Sequence, residues 1–244
     1  MFESPFAEGI VGQAIAHKKV RLSTRNIRDF SKANIHKSVD DRPYGGSDGM
    51  VMLVEPILSA VQESKKNSES KNPWVIHLTP QGKSFTDQMA RELLKYDHLI
   101  LICGRYGGID ERAIATEVDD EISFGDFILS GGEIAAMALI DAVTRLAPGV
   151  LGNQESSLEE SFLDGLLECP QFTRPREVNG LMVPEILLSG DHEKIHRWQH
   201  LVSILRTRSR RPDLLARAKL SNKDLKDAEN LLSSMSEADK KVLL

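Results

Sequence analysis

The chain has 244 residues, 41% of them hydrophobic and 27% charged, with a net charge of −5. That is apolar content enough for one large domain or two ordinary ones, in the range of soluble globular proteins. No apolar run approaches the roughly 20 residues that span a bilayer, and no basic-then-apolar leader opens the chain. Two cysteines, Cys103 and Cys169, give neither a disulfide framework nor a metal-ligand spacing. No membrane partner is expected, and a reducing cytoplasm fits.

In chain order, the pattern predicts a helix over 1–19, with Ser4 as cap, Pro5 at the first helical position and Phe6, Ile10, Val11 and Ile15 on one stripe. A helix is an unusual opening for a parallel α/β fold, so a strand ahead of Met1 is expected in the natural protein. The stretch 39–49 (VDDRPYGGSDG) is a loop by every local signal. Its Asp pair, Arg, Tyr and three glycines exceed what a turn requires, which points to a substrate-holding loop. Met50 to Val54 reads as a buried strand, Glu55 to Gln62 as a helix with Ile57, Leu58 and Val61 inward, and 63–73 as a surface loop. There follow a strand at Trp74 to Leu78, a helix from Ser84 with Phe85, Met89 and Leu93 four apart, and a strand at Leu99 to Cys103. A helix at Ile109 to Thr116 and a short strand at Glu121 to Phe124 complete a parallel α/β pattern.

Three apolar runs stop on glycine-rich turns. Leu99 to Cys103 meets Gly104 and Gly107-Gly108, and Trp74 to Leu78 meets Thr79-Pro80-Gln81-Gly82. Phe127-Ile128-Leu129 meets Ser130-Gly131-Gly132, where Ser130 is expected to cap the next helix and Glu133 to reach back to it. One such end alone is better read as a plain tight turn. Three of them suggest that neighbouring strands share a pocket at their carboxyl ends, where a ligand meets backbone.

The helix from Glu133 to Leu146 is apolar on nearly every face, so it should be buried all round, in a core or against another chain. Asp141 and Arg145 stand four apart on it. They form either a mutual salt bridge or a site at which Arg145 faces an anion at a subunit boundary. The most linker-like segment is 153–160 (NQESSLEE), which divides the chain into domains 1–152 and 162–244 joined by a flexible linker, 153–161. The second domain reads as helical: 162–167, an irregular 169–177, a short 183–188 segment, a long helix opened by Asp191, and a helical terminus over 223–244. Ile195, Trp198, Val202 and Leu205 are the long helix's inner stripe. Residues 191–219 carry eight basic and three acidic side chains, net +5 in a chain of −5. Such an arm is either a phosphate-binding surface or a solvated helix face.

Taken together, DDRPYGGSDGMVM, LTPQG, CGRYGGIDER, SFGDFILSGGE, RLAPGVLG, ESF, GLLECPQFTRP, VPEILLSGDH and RRPDLL resemble the bacterial tRNA guanine-N1 methyltransferases, the TrmD family. The motifs run in the same order from about Asn26 to Leu215. The resemblance implies a SPOUT-type fold: a parallel α/β domain with a deep trefoil knot, followed by a small helical C-terminal domain. It implies S-adenosylmethionine bound in a bent shape by three loops. These are His77, Leu78, Thr79, Pro80 and Gln81; Gly104, Tyr106 and Gly108; and Ser123, Phe124, Gly125, Phe127, Leu129, Gly131 and Gly132. It also implies a homodimer with composite sites and, as substrate, the guanine at position 37 of tRNA, immediately 3′ of the anticodon. The family's activity is linked to magnesium, for which the sequence offers no ligand cluster.

Guanine N1 carries a proton at neutral pH, so a base must remove it while negative charge builds on O6. By resemblance the base is Glu160, where the family has Asp, and Arg145 serves O6 or a nearby phosphate. The family's Tyr-Glu-Gly is Tyr106-Gly107-Gly108 here, which leaves Asp41 to help position the base. Tyr44 is a further guanine contact, and Thr173, Arg174, Ser189, His192, Arg197, Arg210 and Arg211 are tRNA contacts. A competing reading, drawn from Gly107, is a catalytically weak tRNA-binding protein that retains the cofactor pocket. A generic nucleotide-binding enzyme is disfavoured by the lack of G-x-G-x-x-G.

Overall fold

The computed structural model describes Phe2 and residues 5–32, 36–151, 161–162 and 164–244. The chain divides into two compact units, Met1–Gln154 and Glu155–Leu244. Among the described residues no helix is long and apolar enough to cross a membrane.

The first unit opens with α1 (Gly9–Ala16), shorter than the predicted 1–19. Glu8 is its N-cap, Pro5 lies in a turn ahead of it, and Ser4 falls outside the described residues. Gly9 at φ +71° breaks any helix running in from upstream, and Lys18 at φ +57° ends this one, donating its N–H to the Ile15 carbonyl at 3.0 Å. A 3-10 turn (Ile27–Phe30) leads to β1 (Asp40–Asp41), which pairs antiparallel with β2 (Val51–Met52). The predicted strand 50–54 shrinks to β2 because α2 (Val54–Lys66) begins at once. Its Pro56 lies in the first turn, where no amide hydrogen is needed.

The sheet follows. It comprises β3 (Trp74–Ser84), β4 (Leu99–Cys103) and β5 (Asp120–Ser123), all parallel, in the order β4-β3-β5. Between β3 and β4 lies α3 (Asp87–Leu93), capped by Thr86, whose hydroxyl accepts from Met89 N at 3.2 Å. The predicted start at Ser84 fails because Ser84 is still paired to Ser123 in the sheet. Between β4 and β5 lies α4 (Glu111–Glu117), capped by Asp110. After β5 comes α5 (Glu133–Leu146). One sheet face packs Val75, Ile100 and Ile102 on Ile57 and Val61 of α2 and Ala113 of α4. The other packs Ile76, Leu78 and Ile122 on Leu93 of α3 and Ala135, Ala136 and Leu139 of α5. Both faces are covered, which is why the strands read as unbroken apolar runs.

The second unit holds a hairpin, β6 (Glu177–Val178) and β7 (Leu181–Met182), turning at Asn179-Gly180 with φ +53° and +76°. An Asn-Gly pair suits a turn that needs two positive φ values. A 3-10 turn (Glu185–Leu188) precedes α6 (His192–Arg210), capped by Asp191, whose carboxylate accepts from Lys194 N at 3.2 Å. Then come α7 (Pro212–Leu215), α8 (Asn222–Ser234) and α9 (Glu237–Leu243). The core joins Leu201, Val202, Ile204 and Leu205 of α6 to Leu166, Cys169, Ala228 and Leu243. The predicted helix at 162–167 is a turn instead. Phe162 and Gly165 take φ +83° and +76°, Phe162 N donates to Leu166 O at 2.8 Å, and Leu167 N donates to Thr207 Oγ1 at 2.8 Å.

Candidate active site

Residues 79–82 explain how the sheet makes a cavity. Leu78 is paired with Ile122, and Lys83 is paired with that same residue, so four residues are looped out of the β3–β5 ladder at its carboxyl end. The return is tight: a β-carbon at Gly82 would stand 2.4 Å from the backbone carbon of Glu121 and the nitrogen of Ile122. Beside this loop lie the turn after β4 and the segment between β5 and α5. The three enclose a cavity of about 420 Å³.

All fifteen residues that the resemblance assigns to cofactor binding line this cavity. Arg105, Gly107 and Ile128, within the same loops, line it too, as do Ile109, Glu111, Ile114, Glu121, Ile122 and Ala135, which lie outside the expected loops. Glu111 and Glu121 come from α4 and β5, elements whose sequence reads only as fold, so nothing marked them as site residues.

The walls are backbone. Gly132 N donates to Gly104 O at 2.9 Å, and a β-carbon at Gly132 would stand 2.8 Å from Cys103 Cα. The start of α5 is thereby pressed onto the end of β4, and only glycine permits it. This displaces the expected capping box. Gly132, not Ser130, is the N-cap, without a side-chain bond, and Glu133 instead takes Arg105 Nε at 2.8 Å. Phe127-Ile128-Leu129 is not a strand. Phe127 N turns back to Gly125 O at 2.9 Å, and Ile128 is 82% exposed. With φ +140° at Gly125, this segment is a free-standing flap of the cavity rather than part of the sheet.

The turn after β4 is stitched to the substrate-side loop. Gly107 N donates to Met50 O at 2.8 Å, Met52 N to Gly108 O at 3.0 Å, and Asp110 N to Met52 O at 3.2 Å. Asp41 pairs with Val51 in that same hairpin, so the loop bearing Asp41 and Tyr44 is tied by backbone to the cavity wall. Asp41 is exposed, with its carboxylate accepting from Arg42 N at 2.7 Å, and Tyr44 is 98% exposed. Gly107, where the resemblance implies Glu, sits where a β-carbon would come 3.0 Å from Met50 O. The two loops therefore lie close enough to crowd a side chain at this position.

Among the polar side chains that line the cavity, His77 is the most deeply buried titratable one. His77, buried in β3 just ahead of the looped-out residues, has its Nδ1 3.2 Å from Glu121 Oε1. Burial holds this imidazole below its ordinary pKa, against the pull of Glu121. Burial likewise pushes the Cys103 thiol up to about 12, so it stays neutral. A volume of about 420 Å³ lies within the range of about 300–1,000 Å³ typical of small-molecule sites. Glycine walls and a buried imidazole suit a flat heterocycle read by hydrogen bonds, so S-adenosylmethionine fits. Among the described residues no three His, Cys, Asp or Glu side chains are grouped to hold a metal ion.

The other predicted residues are dispersed. Glu160 lies outside the described residues. Arg145 is half-buried in the last turn of α5. The face of that helix formed by Ile134, 50% exposed, with Ala138 and Asp141 is open within this chain. Burial all round is therefore not achieved by one chain. In the second unit Thr173, Arg174, Ser189 and His192 are exposed. Ser189 Oγ donates to Ile186 O at 2.7 Å and accepts from Asp191 N at 3.2 Å. Arg197 is clamped between Asp224 and Asp227 of α8, Arg210 Nε donates to Leu244 O, and Arg211 forms a bidentate pair with Asp213 at 2.8 and 2.7 Å. Much of the basic arm is thus wired into its own unit.

Comparison with known proteins gives this arrangement its family. The model of the tRNA (Guanine-1)-methyltransferase TrmD family matches residues 1–217. The tRNA (guanine-N(1)-)-methyltransferase of Shewanella woodyi is 49% identical over 237 residues, 97% of this chain and 95% of its own. Those of Ruminiclostridium cellulolyticum and Pelotomaculum thermopropionicum are 50% and 48% identical, covering 92% and 98% of this chain and 95% of theirs. The chain belongs to the tRNA (guanine-1)-methyltransferase TrmD family.

Proposed function

We propose that this chain transfers a methyl group from S-adenosylmethionine to N1 of the guanine at position 37 of tRNA. It works as a homodimer whose first domain, 1–152, is knotted and whose second, 162–244, holds tRNA across the linker 153–161. The observation that carries this reading is the cavity at the carboxyl ends of β3, β4 and β5, which collects all fifteen residues assigned to the cofactor from three separate segments. The open apolar face of α5, together with exposed Phe127 and Ile128, supports a second copy as its cover.

S-adenosylmethionine, when bound, supplies an electrophilic methyl on a positively charged sulfur. The chain's own task is to align the guanine and to manage its proton. Glu160 takes the N1 proton, freeing the lone pair that forms the new N–C bond. Arg145 stabilises the negative charge that develops on O6. Asp41 and Tyr44, carried on the loop stitched to the cavity wall, hold the base in place of the carboxylate absent at Gly107. Thr173, Arg174, Ser189, His192, Arg210 and Arg211 contact the tRNA, while Arg197 acts through its clamp on α8. The target base leaves its stack to reach the cavity.

The test is a mass-spectrometric digest of tRNA transcripts incubated with the full chain and S-adenosylmethionine. 1-Methylguanosine should form with guanine at position 37 and not with adenine there. Absence of product, or methylation of another atom, would refute the reading. Glu160→Gln should lower turnover by about 10² or more, the usual worth of a general base.

A further inference from the structure

His77 is 4% exposed, and one of its two ring nitrogens is accounted for. Nδ1 lies 3.2 Å from Glu121 Oε1, a carboxylate that can only accept, so Nδ1 carries the proton of the neutral ring. Nε2 is then an acceptor, and it has no hydrogen-bond partner among the described residues. It is directed at the cavity: a β-carbon at Gly104 would stand 3.3 Å from it, and both residues line the wall. Among the described residues every fully buried side-chain nitrogen or oxygen has a partner, so Nε2 is open to the cavity, where an entering ligand can donate to it. Two charged groups bear on the ring. Glu121 from β5 and Glu111 from α4 face it, and Cys103 at the end of β4 is neutral, while Arg105 beyond it is closed on Glu133.

We propose that His77 is the cofactor-binding residue that makes cofactor capture proton-linked. Glu121 fixes its Nδ1–H form, Nε2 accepts a hydrogen bond from an N–H or O–H of the bound cofactor, and a proton on Nε2 would abolish that bond and set a cation beside a cationic ligand. This rests on the cavity being the S-adenosylmethionine site. Burial already disfavours the protonated ring, so the binding form prevails at neutral pH. Affinity falls only as pH drops through the His77 pKa, below the ordinary histidine value, with a limiting slope of one proton: about tenfold in Kd per pH unit.

The experiment is calorimetric titration of the full chain with S-adenosylmethionine from pH 8 down through the His77 midpoint, which nitrogen NMR of the histidine-labelled protein locates. The one-proton slope should be present in the wild type and absent in His77→Gln, which keeps an acceptor but cannot titrate. NMR should show His77 protonated at Nδ1 and bare at Nε2 before ligand is added, with the Nε2 resonance moving on binding. Analogues lacking the 6-amino group, a ribose hydroxyl or the methionine amino group separate the donor sources, since the Nε2 response must vanish with one of them. A flat affinity profile across the pH range in which NMR shows His77 gaining its second proton, an Nε2–H form or an unresponsive Nε2 would overturn the proposal even with binding intact. Failure of the wild type to bind at any pH would instead overturn the functional reading. The NMR arm stands whether or not His77→Gln folds.

Discussion

The strand-end cavity of the first unit and the basic helix of the second are made on opposite principles. The cavity is walled by backbone held at contact distance, so that Gly82 and Gly132 have no room for even a methyl group. The basic helix is made of long side chains, several of which close on acids or carbonyls of their own unit. Backbone walls tolerate no added atom, whereas a network of exposed ion pairs yields gradually because each pair contributes little. Shape should therefore govern the first region and electrostatics the second.

The largest test of that contrast is Gly82→Ala. Its β-carbon would overlap three backbone atoms of Glu121 and Ile122, and backbone cannot swing aside. Thermal unfolding of the full chain should show a loss of about 3 kcal/mol or more, or no folded protein at all. Gly132→Ala, at 2.8 Å from Cys103 Cα, should cost about 1–3 kcal/mol and displace the start of α5, weakening cofactor binding in calorimetry. Unchanged melting in both variants would show that the walls are less tightly set than described.

In the second unit, Arg197→Ala should cost only about 1 kcal/mol, because its side chain is 38% exposed and solvent screens the pair. Hydrogen exchange along α8 would register the loss. Asp224 sharpens the point. The Ser221 hydroxyl and then Arg197 hold its carboxyl below the usual carboxylate range. A depressed folded pKa means that its contribution is complete above the unfolded value of about 4 and is lost as pH falls through the folded one. Exchange in α8 should accelerate below about pH 4, and Asp224→Asn should flatten that response.

The smallest effect is expected at Gly46→Ala, in the substrate-side loop. Gly46 has φ +77° but nothing within 4 Å of a β-carbon, so only backbone conformation resists, at about 1 kcal/mol. Cofactor affinity should be unchanged, and any effect should fall on the KM for tRNA. A cofactor defect there would contradict the division between packed and open glycines.

These regions were also legible in the sequence to different degrees. Leu99 to Cys103 announced itself as an unbroken apolar run because both sheet faces are covered, and Asp191 announced α6 because capping is a local event. The Ser130–Glu133 box was misread because Glu133 is claimed by Arg105 from the turn after β4, a partner 28 residues away in the chain. Phe127 to Leu129 looked like a strand because its apolar residues form a flap over a cavity, and composition does not separate the two. The hairpin of β1 and β2, with two residues in each strand, is below the length at which alternation has meaning. The positive charge of residues 191–219 was plain, but which arginines are spent on Asp224, Asp227 and Asp213 depends on how α6, α7 and α8 pack.

The central claim is that the strand-end cavity is the cofactor site, and Gly104→Ala addresses it most directly. Its methyl group would stand 3.3 Å from His77 Nε2 and 3.4 Å from Ile109 Cγ2, narrowing the cavity without striking backbone. Calorimetric titration with S-adenosylmethionine should give one site per chain in the wild type and at least tenfold weaker binding in the variant, at a closely similar melting temperature. Equal affinity in the two proteins would place the cofactor elsewhere and contradict the account.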